Sequence, residues 1–444
     1  MFQSLNATGT PLTAFETFKP LVVNFAETSG SRQFKGSNSE KFLQPTDKLL
    51  SSTGSALKKT QLTNEFLTSF ALINIGYSLS KQFSAQRKWL NSSYEKCTSI
   101  AEKEEFVHRI GNLATYWETV VHINPKECQF VVGIENIPVL DKELATFCCL
   151  YLQKANHKMA NAVLSRFYAQ IVREMPESDK NFAAICKIVS AFFTLWRSAL
   201  PNTGLDDVYR RLMREHLCWE KGNTNLSPQF VSTYFKNVLT DKGIGTKTEW
   251  ISRAKDSFKY ETQAICRFAL FVTAQDTIPD PDNLGLMKIG NLGSTPPYLS
   301  PRLWISDELK TVEHIAPQKT ECIEDWDSQL YQNENYQRIG NLTLLPVEIN
   351  SSLSNKGWVA KFIYYKHLSE IDPDKLESLQ LEAQAQGVIL SQRTIELLRN
   401  SSTKQHITPI IQLGASGIWD KDFVDRRSQR ICEILWDRIY QWLN

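Results

Sequence analysis

Glu313 and His314 stand side by side in LKTVEHIAPQ, a carboxylate next to an imidazole near the end of a short β-like run. Phosphodiester hydrolysis needs a base that takes a proton from water and a cation that offsets charge gathering on the phosphate. An imidazole titrates in the right range for the first task. A carboxylate, joined by side-chain amide oxygens, is the donor type that a hard divalent cation prefers. Two amides follow at informative places. Asn341 opens a second β-like run, IGNLTLLPV, where it could hold the His314 ring or backbone by hydrogen bonds. Asn350 comes just before a helical stretch, NKGWVAKFIYYKHL, and is placed to offer its amide oxygen to the same cation. The expected site therefore has His314 and Asn341 in catalysis and Glu313 and Asn350 at Mg²⁺ or Mn²⁺. Arg338, Lys356 and Lys361 are the expected phosphate contacts. Successive strand residues face opposite ways, so Glu313 and His314 share one site only where the strand ends or distorts. Ile315-Ala316-Pro317 is where such a strand would stop.

The elements that must position these groups read as strand, loop, strand, helix over residues 281–444, the order of a ββα-metal nuclease core. The closing stretch, through SLQLEAQAQGVILSQRTIELLRNSS and DFVDRRSQRICEILWDRIYQWL, reads as a helical hairpin. Residues 61–280 repeat apolar residues at three-to-four spacing in segment after segment, which predicts a helical bundle. Residues 28–60 are rich in Ser, Gly and Lys and poor in large apolar groups, which predicts a surface loop or linker. The fold class expected is mainly α, a helical bundle followed by an α+β HNH-like domain. Domains are expected at 1–60, 61–280 and 281–444, with Pro/Gly-rich IPDPDNLGLMKIGNLGSTPPYLSP marking the second boundary.

Bulk properties narrow the class without choosing within it. A formal charge of +2 over 444 residues neither favours nor excludes nucleic acid, since a near-neutral average hides a local basic groove. The 9 cysteines form no C-x-x-C pair, which argues against a zinc ribbon and for buried thiols in a reducing compartment. No basic-then-apolar leader opens the chain, and no unbroken apolar stretch approaches the roughly 18 residues of a membrane span. A cytoplasmic protein with no membrane partner is expected.

E-H-I-x-P-Q, the loop Trp326, I-G-N-L-T-L-L, Asn350, L-S-N and a downstream Lys together resemble the C-terminal domain of GmrSD-type restriction endonucleases. The closing WDKDFVDRRSQRICEILW is similar to that family's terminal W…R…W element. The resemblance covers about 301–444 and implies an HNH-like nuclease acting on DNA in a bacterial anti-phage restriction system. It implies Glu313 and Asn350 at the metal, His314 as general base and Asn341 orienting it. The opening FQSLNATGTPLT resembles the second half of the ParB-like domain that precedes this nuclease in the family. A companion chain carrying the first half is therefore an expected partner.

Blander readings stand beside these. I-G-N-L occurs at 110–113, 289–292 and 339–342, and only the third copy has Glu-His upstream and Asn350 downstream. The first two are read as structural. His122, His157, His216, His367 and His406 show no metal-ligand spacing. Trp326, Trp358 and Trp436 read as core anchors. Arg426, Arg427 and Arg430 suit either phosphate contact or a solvated helix face. Two other functions are carried forward: a non-catalytic subunit binding DNA or a partner through a degenerate fold, and an RNase toxin.

Overall fold

The computed structural model describes residues 12–28, 33–52, 54–124, 126, 129–202, 204–319, 326–353, 355–370, 372–393, 395–396 and 405–444. Helix dominates, at 67% of the described residues against 4% strand, so the mainly-α expectation holds. Two compact units emerge. One comprises 1–145, 156–186 and 204–231, and the other 146–155, 187–203 and 232–444. The chain thus crosses between units several times, and the division expected near 280 is not where it separates.

The first unit is built on α1 (Ala14–Thr28), α2 (Asn38–Ser51), α3 (Ala56–Ile75), α4 (Phe83–Glu95) and α5 (Ile100–Tyr116). It also takes the start of α6 (Val139–Lys154), α7 (Ala160–Val172), the start of α8 (Ser178–Ala199), and α9 (Leu205–Leu212). The linker expected over 28–60 is overturned by α2. Ser37 caps this helix by accepting a hydrogen bond from the Glu40 N–H. Leu43, Thr46, Leu49 and Leu50 then fall at helical spacing and are buried. The Ser and Gly content that argued for a linker belongs to the caps and turns around α2. The first I-G-N-L copy lies in α5, where a Cβ on Gly111 would stand 2.2 Å from the Phe42 carbonyl oxygen. That glycine lets α5 approach α2, a packing role as expected. Most of the opening FQSLNATGTPLT lies outside the described residues.

Helix α8 is long and apolar enough to cross a membrane by composition, but 83% of its apolar window is buried inside the protein. The described cysteines are free thiols, all buried but the half-buried Cys97. Cys128 and Cys322 lie outside the described residues.

In the second unit, most of α10 (Pro228–Asp241), α11 (Lys247–Ser257) and α12 (Gln263–Ala274) lead into a short hairpin, β1 (Thr277–Pro279) with β2 (Met287–Ile289). After α13 (Pro301–Ile305) come β3 (Thr311–His314) and β4 (Leu342–Leu345), then α14 (Val347–Leu353), α15 (Trp358–Ser369) and α16 (Pro373–Ala385). β3 and β4 are antiparallel, pairing Thr311 with Leu345 and His314 with Leu342. The two β-like runs read from the sequence are therefore the two strands of one ladder. Helix α12 packs on both strands and α14 on β3, which explains why every β4 residue is buried.

The C-terminal helix Lys421–Ile439 closes on the turn before β4. A Cβ on Gly340 would lie 2.2 Å from the Val424 carbonyl oxygen, so only glycine permits that approach. The Arg427 guanidinium, 2% exposed, donates to the carbonyls of Gly340 and Leu342 at 2.5 and 2.9 Å. Arg430 donates to Asp280 and to the Met287 carbonyl, and Arg426 lies over the Phe423 ring. Of the three, Arg427 and Arg430 hold the fold together and do not form a phosphate-binding face. Trp326 meets Trp358 edge-on and Trp358 stacks on Trp419, so these indoles are core anchors as expected.

Candidate active site

His314 is the last residue of β3, and the chain turns immediately after it. Asn341 makes that turn. Its Oδ1 accepts from the Ala316 N–H at 2.8 Å, and its Nδ2 donates to the Ala316 and Tyr336 carbonyls at 2.8 and 2.7 Å. Trp419 Nε1 donates to the same Oδ1 at 2.9 Å, and the Asn341 carbonyl accepts from the Ile315 N–H. All four capacities of this fully buried amide are thereby used. Asn341 is a positioning residue: it fixes the backbone after His314 and makes no hydrogen bond to the imidazole. We expect Asn341→Ala to cost about 2 to 3 kcal/mol, because it strands buried backbone groups of residues 316 and 336. Urea unfolding checks this, and a loss under about 0.5 kcal/mol would show that the turn is held by something else.

The imidazole has its own partners. Nε2 lies 2.9 Å from Gln337 Oε1, so the ring donates from Nε2 and keeps its Nδ1 lone pair for a proton. The Gln318 amide nitrogen is 3.5 Å from Nδ1, and the Tyr260 ring meets the imidazole edge-on at 4.4 Å. Burial, reinforced by the Lys361 charge and opposed by the Gln337 hydrogen bond, pushes the His314 pKa down to about 4. Near neutral pH the ring is uncharged, the form a general base requires.

Glu313 points the other way, as strand alternation demands. Its Oε1 is 2.6 Å from the Lys361 ammonium of α15, which also donates to the His314 carbonyl at 2.7 Å. Lys361 is fully buried and Glu313 is 5% exposed. Burial pushes the glutamate up and the lysine down, toward their neutral forms, and the ion pair pulls each back. Lys361 is therefore not a phosphate contact. Its charge is spent on Glu313 and on the strand end that carries His314.

Arg338 also departs from its expected role. It is 4% exposed, donates to the Lys255 carbonyl and to Asp256, and pairs with Asp425. It ties α11 and the C-terminal helix to the turn before β4. Lys356 is exposed, as a phosphate contact must be, and Asn350 is half-buried within α14.

The residues that could hold a divalent ion are Glu313 and Asn350. As arranged, this set does not fit one. Its only carboxylate already faces an ammonium at ion-pair distance, and no cluster of three His, Cys, Asp or Glu side chains lies among the described residues. Partners of the site that the sequence did not foretell are Gln337, Tyr260 and the pairing of Lys361 with Glu313. Gln337 sits 4 residues before Asn341 and offered a local signal; Tyr260, from a distant segment, offered none.

The site is thus an imidazole at a strand end, its turn pinned by an amide and followed by strand and helix. Residues 291–434 match the family model GmrSD_C, described as GmrSD restriction endonucleases, C-terminal domain. That region is similar to the C-terminal domain of GmrSD-type restriction endonucleases. No curated protein matches the chain.

Proposed function

We propose that the second unit is a DNA endonuclease centre of a restriction-type anti-phage defence system, with His314 as its general base. The observation that carries this reading is the imidazole held by Gln337 at the end of β3, within the region that matches GmrSD restriction endonucleases. In the proposed step, His314 Nδ1 takes a proton from water as the water oxygen bonds to phosphorus. The ester P–O bond then breaks, the leaving oxygen takes a proton from solvent, and His314 returns the proton it accepted to solvent. Asn341 and the Glu313–Lys361 pair hold the strand end on which the base sits. Exposed Lys356 is the remaining candidate for a phosphate contact.

The test is digestion of supercoiled plasmid and of structured RNA by the full chain, side by side, with added Mg²⁺ or Mn²⁺ and with EDTA. Cleavage of the plasmid alone supports the reading. Cleavage of RNA alone replaces it with the RNase reading. No cleavage of either polymer in any condition leaves a binding subunit. Cutting that needs added metal would require the ion to find donors beyond the Glu313–Lys361 arrangement described here, whereas cutting in EDTA would match the ammonium-filled site.

A further inference from the structure

The first unit carries an unbalanced knot of charge. Arg166 of α7, fully buried, lies 3.6 Å from the centre of the Trp219 ring. Arg173, just past the end of α7, and Arg109 of α5 flank the same ring at 4.6 and 5.0 Å. Glu105 is the carboxylate they share: Arg109 Nε donates to it at 2.9 Å, and Arg173 Nη2 bridges both its oxygens at 2.9 and 3.1 Å. Three cations against one anion leave a local charge of +2 on a single indole. Adjacent Glu220 and Lys221 offset each other.

The hydrogen bonding is also incomplete. Arg166 donates from Nε to the Leu217 carbonyl and from Nη2 to the Gly222 carbonyl and Asn223. Among the described residues its Nη1 has no acceptor, nor has Nε of Arg173. Stacking on an indole favours a guanidinium but does not neutralise it. The burial of Arg166 and the charges of Arg109 and Arg173 act together to lower its proton affinity. Like charges are gathered here at a cost that one carboxylate does not offset. Arg109 and Arg173 each keep about a quarter of their side chain exposed, 24% and 25%, so the excess charge reaches the surface.

We propose that Arg109 and Arg173, set over the buried Arg166 and the half-buried Trp219, form a receptor for a phosphate group. Planar guanidinium forks match phosphate oxygens in pairs, and two such forks over a desolvated third favour that anion above a monovalent halide. The phosphate belongs either to a nucleic-acid backbone or to a free phosphate compound. The site is independent of the His314 centre, and its test uses binding alone.

The experiment uses the full chain with two probes: a fluorescein-labelled 20-base-pair duplex, read by anisotropy between about 50 and 200 mM salt, and inorganic phosphate, read by thermal melting. Arg109→Gln/Arg173→Gln should weaken duplex binding at least tenfold and reduce the salt slope by about two, one unit for each lost phosphate contact, if the backbone is the ligand. Loss of phosphate-induced stabilisation, with duplex binding unchanged, identifies the free phosphate source. A double variant equal to the wild-type chain with both probes overturns the proposal. Should that variant fail to fold, Glu105→Gln removes the shared carboxylate and should tighten binding of one of the two probes. No tightening with either probe overturns the proposal as well.

Discussion

His314→Ala should lower plasmid cleavage by roughly a hundred- to ten-thousand-fold, the range that a positioned general base contributes, while the chain stays folded. The argument rests on three features of the ring: Nε2 is committed to Gln337, Nδ1 is left to accept a proton, and burial keeps the ring neutral near pH 7. Removing it takes away the base and leaves the backbone that Asn341 pins, since the bonds of that amide run to residues 316, 336 and 419. The melting temperature should therefore change far less than the rate. Added imidazole should restore part of the activity, because the vacated space lies where the proton is taken. A His314→Ala chain that still cuts at the wild-type rate removes His314 from the chemistry. A chain that stops cutting but has also unfolded is read through His314→Gln, which preserves much of the volume and lacks a base. Full activity in that variant rejects the role equally.

How much of this was legible beforehand varied with the physics each residue obeys. The two strands could be read because TVEH and LTLL are short β-like runs, and the end of the first because Ile315-Ala316-Pro317 follows His314. The role of that glycine came from elsewhere: Gly340 is required by the close approach of the C-terminal helix, whose Ser428 Oγ accepts its N–H. Charged residues were the least legible. Arg338, Lys361 and Arg427 have the composition of a phosphate-binding face, and each is buried with a committed partner. Residue type announces a charge, but only the fold says whether an Asp425, a Glu313 or a carbonyl already holds it. Helix α2 was lost for the opposite reason, because the Ser and Gly of its flanks outweighed four buried side chains in a reading by composition. The division of the chain into units was unreadable from local texture, as each unit gathers segments that are distant in sequence.

The buried pair yields the second large effect. Lys361→Met should destabilise the chain by about 3 to 5 kcal/mol near neutral pH, because it leaves the Glu313 carboxylate buried without its partner. The penalty should depend on pH, and its sign follows from the shift already present. Burial raises the Glu313 pKa, and loss of the ammonium that opposes this must raise it further. A carboxyl whose folded pKa lies above its unfolded value destabilises the fold where the unfolded chain is ionised, and that cost fades as pH falls through the unfolded value. The difference between Lys361→Met and wild type should thus be larger at pH 8 than at pH 5, measured by urea unfolding of both chains at each pH. Glu313→Gln/Lys361→Met should recover most of the loss, since a neutral pair of similar volume carries no unpaired charge. If the single variant is as stable as the wild-type chain at pH 8, the pair does not hold the strand end, and Lys361 is left free for another role. If the double variant is as unstable as the single, the loss lies in the hydrogen bond from Lys361 to the His314 carbonyl. The lysine would then act on the base through the backbone and owe nothing to the carboxylate beside it.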